Sequence, residues 1–262
     1  MKSTDKKIFF LMAMPRSGNT LFGSLMNQNP NVGVTANSIT LEIMKDLFLL
    51  KETDVFQNYP DHQSLDNVLD NVFKNYYQNW PYQYIIDRGP VLTPGNQKLI
   101  EKHLQQPLKC IIIWRDLMDV LASYIKWFEN EPSAYPNKYG KKNIEEKLWM
   151  LMNKDGTIAK ELIAIENALK PKNRSKCLLL KYDNLVNNTE NEIKKVYSFL
   201  EIPYFNHNYK SLSQFSVNGR SYDDTTLGNN LHTIRTEIKK LNNPYKSMIP
   251  ESIRKAYGHI VL

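Results

Sequence analysis

The chain has 262 residues, 42% of them hydrophobic and 23% charged, with a formal net charge of +7. That balance excludes a disordered or collagen-like chain, and the length suits one large domain spanning 1–262. Two cysteines exclude a disulfide framework or a multi-cysteine zinc site, and no apolar run approaches the ~20 residues that cross a bilayer.

At the N-terminus, Lys6 and Lys7 precede an apolar run at 8–14 that superficially resembles the start of a signal peptide. The run is short, and Pro15-Arg16-Ser17 follows it without a small-residue cleavage pattern, so it reads as a buried strand and the expected location is cytoplasmic. A helix carrying Leu21, Phe22, Leu25 and Met26 follows. A helical stretch at 65–79 leads to a weaker strand at 84–86. The next apolar run, 110–114, passes through Asp116, a natural helix N-cap, into a helix with Leu117, Val120, Leu121, Tyr124 and Phe128 at helical spacing. A second helical stretch covers 143–169, and a strand covers 177–180. Thr189-x-x-Glu192 reads as a capping box opening a helix with Ile193, Val196, Tyr197 and Leu200. Cys110 and Cys177 begin strand-like runs and are expected to be buried free thiols. The polar stretch 211–230 reads as a long loop. Strands alternating with helices predict an α/β fold, a single domain with a central parallel sheet flanked by helices.

The segment Ala13-Met14-Pro15-Arg16-Ser17-Gly18-Asn19-Thr20-Leu21 lies between a strand and a helix, where backbone N–H groups and the helix dipole converge on an anion. Against the pattern G-x-x-x-x-G-K-[ST], Ala13 replaces the first Gly and Asn19 replaces the Lys, while Gly18 and Thr20 keep their places. The missing Lys would reach the β/γ-phosphates of a nucleoside triphosphate, so the loop suits a shorter anion. Trp114-Arg115-Asp116 ends a second strand, and Ser123 follows on the next helix. An Arg and a helix-borne hydroxyl there can clamp one phosphate together, unless Arg115 instead pairs with Asp116 or Asp119.

Together these motifs resemble those of sulfotransferases that use 3′-phosphoadenosine 5′-phosphosulfate (PAPS). Pro15 to Leu21 is similar to the family's P-R-S-G-[TN]-T-L loop for the 5′-phosphosulfate. Arg115, Asp116 and Ser123 reproduce its R-D-x-x-x-x-x-x-S motif for the 3′-phosphate. Tyr182 and Leu185 match a Tyr-x-x-Leu element beside the nucleotide. Asp87-Arg88-Gly89-Pro90 is similar to an Asp-Lys-[Ser/Thr]-Pro element, and Ile234-Arg235 to an Ile-Lys of the tyrosylprotein branch. Asn29-Pro30-x-Val32 also resembles that branch and its bacterial relatives. Its general-base Glu has no counterpart in 35–38, and the small-molecule branch's catalytic His has none either.

The resemblance implies a P-loop enzyme with no metal requirement, which transfers a sulfuryl group in line to a hydroxyl or amine and releases adenosine 3′,5′-bisphosphate (PAP). Arg16, Ser17, Gly18, Asn19, Thr20, Leu21, Arg115, Ser123, Tyr182 and Arg235 form its donor site. Arg16 and Arg88 stabilise developing charge, although Arg88 cannot donate its proton at neutral pH. Asp87 is the leading base candidate, but pairing with Arg88 lowers its pKa and weakens it, and a structural salt bridge is the alternative. His62, His232 and Glu42 are the other base candidates. Trp80, Tyr82, Tyr84, Trp127 and Trp149 are candidates for an acceptor pocket or for ordinary core. The acceptor is a small molecule, a glycan or a peptide tyrosine. A P-loop kinase or NTPase and a nucleotide-binding homologue without catalysis are the rival readings. The charge alone suggests nucleic acid, but no basic helix interleaved with aromatics supports it.

Overall fold

The apolar runs hydrogen-bond side by side as one five-stranded sheet in the computed structural model, which describes residues 6–131, 136–221, 233–240 and 243–262. The strands are β1 (Lys7–Met12), β2 (Val32–Val34), β3 (Tyr84–Arg88), β4 (Cys110–Trp114) and β5 (Cys177–Lys181). All pairings are parallel and the order is β2-β3-β1-β4-β5, with Leu11 opposite Arg88, Phe10 opposite Cys110 and Ile113 opposite Leu180. Successive residues alternate between two apolar layers. Phe10, Met12, Ile112 and Trp114 belong to one, and Phe9, Leu11, Ile111 and Ile113 to the other. Helices cover both faces, so β4 is buried along its whole length and reads as an unbroken apolar run. The result is the α/β fold the sequence predicts.

The strand order sets the position of the site. From β1 the chain moves out to the β2 edge, returns as β3 on one side of β1, and then continues as β4 on the other side. The carboxyl end of β1 is therefore a switch point, where the loops after β1 and β4 leave a crevice between them.

Several elements differ from the sequence expectations. β2 is too short to register as an apolar run. The stretch 65–79 is two helices, His62–Asp70 and Val72–Tyr76, interrupted at Asn71. The stretch 143–169 likewise splits into Ile144–Met152 and Thr157–Leu169. A Cβ at Gly156, the N-cap of the second helix, would clash with the Leu151 carbonyl, so glycine is what permits the tight turn. No capping box opens Thr189–Leu200. Helix Tyr182–Asn187 runs almost directly into it, and Thr189 Oγ1 donates back to the Leu185 carbonyl at 2.7 Å. Within 211–221 the loop contains a hairpin of β6 (Ser216–Val217) and β7 (Arg220–Ser221), turned by Asn218 and Gly219 at φ 50° and 73°. Both cysteines are free and face each other across β4 and β5. Cys110 is buried but Cys177 is only partly so. No helix among the described residues is long and apolar enough to cross a membrane.

Candidate active site at the carboxyl ends of the strands

A cavity of about 830 Å³ opens at this switch point, lined by Pro15, Arg16, Gly18 to Leu21, Arg88, Arg115, Ser123, Tyr182 and Arg235 among others. Two backbone features shape the loop after β1. Arg16 holds φ 70° and Gly18 φ 98°, and the amide of Ser17 closes a turn onto the Met14 carbonyl at 3.2 Å. Only glycine fits at position 18. A Cβ would stand 2.8 Å from Tyr182 Cδ2, in a backbone region that L-residues avoid. The following helix, Asn19–Met26, has no side-chain cap and no acidic residue in its first turn, so its leading N–H groups are available to an anion. Asn19, standing where a Lys would reach a γ-phosphate, instead donates Nδ2 to the Met14 carbonyl at 3.2 Å and ties the loop to β1.

The two sequence motifs meet side chain to side chain. Arg16 Nε donates to Ser123 Oγ at 3.1 Å, and Arg115 Nη1 donates to the Arg16 carbonyl at 2.7 Å. The Arg115 guanidinium lies over the Tyr182 ring, 4.6 Å from its centroid. The expected alternative, Arg115 paired with Asp116 or Asp119, is not what forms. Asp116 caps the helix Leu117–Asn130 by accepting from the Asp119 amide at 3.0 Å. Lys246 then bridges Asp116 and Asp119 at 3.1 and 2.9 Å. Two donors at this end, Ser17 Oγ and Arg115 Nε, are buried without a partner. A phosphorylated ligand would supply acceptors for such donors, so the residues present fit one.

The other end of the cavity departs from the sequence reading. Arg88 turns Nη1 to the Ala36 carbonyl and Asn37 Oδ1, at 2.6 and 2.8 Å. Asp87 does not line the cavity. It is fully buried, and its Oδ2 accepts from Tyr77 OH, Thr40 Oγ1 and Ser38 Oγ at 2.6, 2.7 and 3.0 Å. No Asp87–Arg88 salt bridge forms, and the expected lowering of its pKa is reversed. Burial outweighs the three hydroxyl donors and pushes the carboxyl up to about 6. The reason is the β-strand period: adjacent residues face opposite sides, so Asp87 and Arg88 cannot share an environment. His62 is exposed, packs edge-on against Phe56 and does not line the cavity; His232 lies outside the described residues. Glu42 does line the cavity and is exposed. Of the five aromatic candidates, Trp127 lines it; Tyr82 packs on Gly33, Trp80 on Tyr77, Tyr84 on Phe9 and Trp149 on Tyr257.

The sequence reading missed Glu161. On the helix Thr157–Leu169 the buried stripe runs Ile158, Glu161, Ala164, Ile165, Ala168, so a carboxylate occupies an apolar position. That break in the stripe is legible from spacing alone. Glu161 lines the cavity, is 7% exposed, and its Oε2 has no hydrogen-bond partner. Burial raises its pKa to about 7, against the pull of the nearby Arg88 guanidinium. Among the described residues no cluster of three or more His, Cys, Asp or Glu could hold a metal ion.

Comparison with known proteins shows the family and the fold. A family model described as the sulfotransferase domain matches residues 6–240. The sulfotransferase domain of a Synechococcus PCC 7002 olefin synthase superposes over 100% of this chain and 98% of its own, at 12% identity and TM-score 0.53. The sulfotransferase domain of the curacin biosynthetic pathway covers 98% and 99%, at 15% identity and TM-score 0.50. Mouse sulfotransferase SULT7A1, solved with PAP, aligns with 77% of this chain at 16% identity and TM-score 0.48, and the chain spans 60% of its length. No curated protein matches significantly.

Proposed function

The chain belongs to the sulfotransferase domain family, and we propose that it moves a sulfuryl group from PAPS to an acceptor hydroxyl or amine. The observation that carries this reading is the junction of Arg16, Ser123, Arg115 and Tyr182 around the loop after β1. PAPS supplies the activated sulfuryl group and a phosphate leaving group.

The chain's own residues supply position and charge. The amides of residues 17–20 and Arg16 bind the 5′-phosphate, where helix polarity and a guanidinium favour negative charge. Arg115 and Ser123 take the 3′-phosphate. Tyr182 stacks under the Arg115 guanidinium and blocks any side chain at position 18, which keeps the loop backbone close to the ligand. Arg88, held by Ala36 and Asn37, presents a fixed positive charge at the reacting end. Arg235 closes the cavity from the segment 233–240, which is anchored by Ile234 N–H on Gln214 Oε1 and by Leu212 N–H on the Thr236 carbonyl. A kinase reading lacks support, because Asn19 serves the loop and Asp116 is committed to its cap and to Lys246.

The test is transfer of labelled sulfate from PAPS to tyrosine peptides, phenols, alcohols, amines and glycans, without added metal. Transfer that disappears in Arg16→Ala supports the reading. Magnesium-dependent ATP hydrolysis without PAP binding contradicts it.

A further inference from the structure

A sulfuryl transfer needs somewhere for the acceptor's proton to go, and the residues expected to take it are poorly placed. Asp87 is buried on β3 outside the cavity lining, with three hydroxyls on its Oδ2, and Arg88 stays protonated. Asp87 also has a buried oxygen without a partner, Oδ1, but it does not line the cavity, and Glu161 does. Glu42 is exposed on its helix, whereas Glu161 is buried, lines the cavity and lacks a partner for Oε2. Thr157, Lys160 and Glu161 lie at i, i+3 and i+4, so one face of this helix lines the cavity. The helix packs against β1, the strand that ends in the donor loop, and against the helix Ile144–Met152.

We propose that Glu161 is the general base that accepts the proton from the acceptor hydroxyl or amine as the sulfuryl group moves. This rests on the reading of the cavity as a sulfotransferase site. In the step, the acceptor oxygen or nitrogen forms a bond to sulfur while the sulfur–oxygen bond to the 5′-phosphate breaks. The bonding pair leaves with the phosphate, the acceptor proton passes to a Glu161 carboxylate oxygen, and PAP departs with no redox change.

A buried carboxylate oxygen without a partner is costly to keep for stability alone, so a role in the cavity accounts for Glu161 better than packing does. The charged groups around it set its behaviour. Arg88 at the end of β3 favours the carboxylate, and Lys126 and Glu131 from the neighbouring helix and Lys160 beside it line the same cavity. Cys110 on β4 is neutral because burial raises its thiol well above the usual range. On Ile144–Met152, Lys147 turns its ammonium to the Phe128 ring, 5.0 Å from the centroid. With a pKa of about 7, Glu161 is poised near neutrality, where a base combines availability with strength.

The experiment compares wild type with Glu161→Gln, an isosteric change, in four readouts: PAP binding by calorimetry, thermal stability, infrared titration of the protonated-carboxyl band, and labelled sulfate transfer from PAPS to 4-nitrophenol, phenol, aliphatic alcohols and primary amines. In wild type, the carboxyl band titrates near 7, and kcat/KM for the acceptor rises through the same midpoint. Glu161→Gln is expected to stay folded, bind PAP within about twofold, lose that band and the pH limb, and lose roughly 100-fold in kcat. The loss should be smallest for 4-nitrophenol, whose proton leaves most easily. Transfer by Glu161→Gln within threefold of wild type, with an unchanged pH profile, overturns the proposal. Wild-type PAP binding without transfer to any acceptor overturns it too, while leaving the donor site standing. Absence of PAP binding overturns both readings.

Discussion

The two ends of the cavity are built in opposite ways. At the donor end the groups are backbone amides, two arginines, a serine and a tyrosine, most of them hydrogen-bonded or stacked on one another before any ligand arrives. At the reacting end, two carboxyls stand at different depths. Each has one buried oxygen without a partner, Asp87 Oδ1 and Glu161 Oε2, but Asp87 holds three hydroxyl donors on Oδ2 and lies outside the cavity lining, whereas Glu161 lines the cavity. Binding a fixed dianion rewards preorganisation, while moving a proton requires a group whose charge can change. The first leaves a contiguous motif in sequence. The second depends on where a helix happens to lie.

The largest test of this contrast is Arg115→Ala. It removes a guanidinium that holds the Arg16 carbonyl and would bind a phosphate, so PAP affinity should fall by about 4 kcal/mol, roughly 1,000-fold. Calorimetry measures it, and a loss under tenfold would break the donor-end account.

Asp87→Asn probes the sealed carboxyl. Its folded pKa of about 6 lies above the ordinary carboxylate value of 3.8. Folding therefore favours its neutral form. That contribution is fully present below about pH 4 and is lost as the pH rises through 6. Wild type should lose about 3 kcal/mol relative to Asp87→Asn between pH 4 and 7, read by urea unfolding. Sulfate transfer at neutral pH should stay within about threefold, because Asp87 does not line the cavity. A variant with wild-type stability but no transfer would return the catalytic role to Asp87.

Gly18→Ala is the smaller perturbation. A side chain at φ 98° costs about 1–2 kcal/mol of folding stability and crowds the Tyr182 ring, so unfolding shifts by about that amount and PAP affinity should drop about tenfold. Unchanged affinity would show that the loop tolerates displacement from its ligand.

The same contrast explains what was legible in the sequence. Residues 15–21 lie on one continuous stretch, and Arg115 to Ser123 on another, so spacing alone revealed both, and the fold joined them through Arg16 and Ser123. The four longer strands were visible as apolar runs because both sheet faces are covered. β2, three residues long, was not, and neither was the hairpin turned by Asn218-Gly219 inside a polar stretch. Asp87 misled because adjacency in sequence suggested pairing with Arg88, while strand alternation sends them apart. Glu161 was hidden because the residues that line the cavity with it come from the loop after β1, the end of β3 and the helix Leu117–Asn130, far away in the chain. Its one local trace was a charge in the apolar stripe between Ile158 and Ile165.

The most direct measurement of the central claim is calorimetric titration of the chain with PAP and with ATP, in the presence of a chelator and again with magnesium. The donor-site account predicts that PAP binds without metal, that ATP binds far more weakly under either condition, and that Arg115→Ala abolishes the PAP heat. Binding of ATP that requires magnesium, with PAP silent in both, would contradict it.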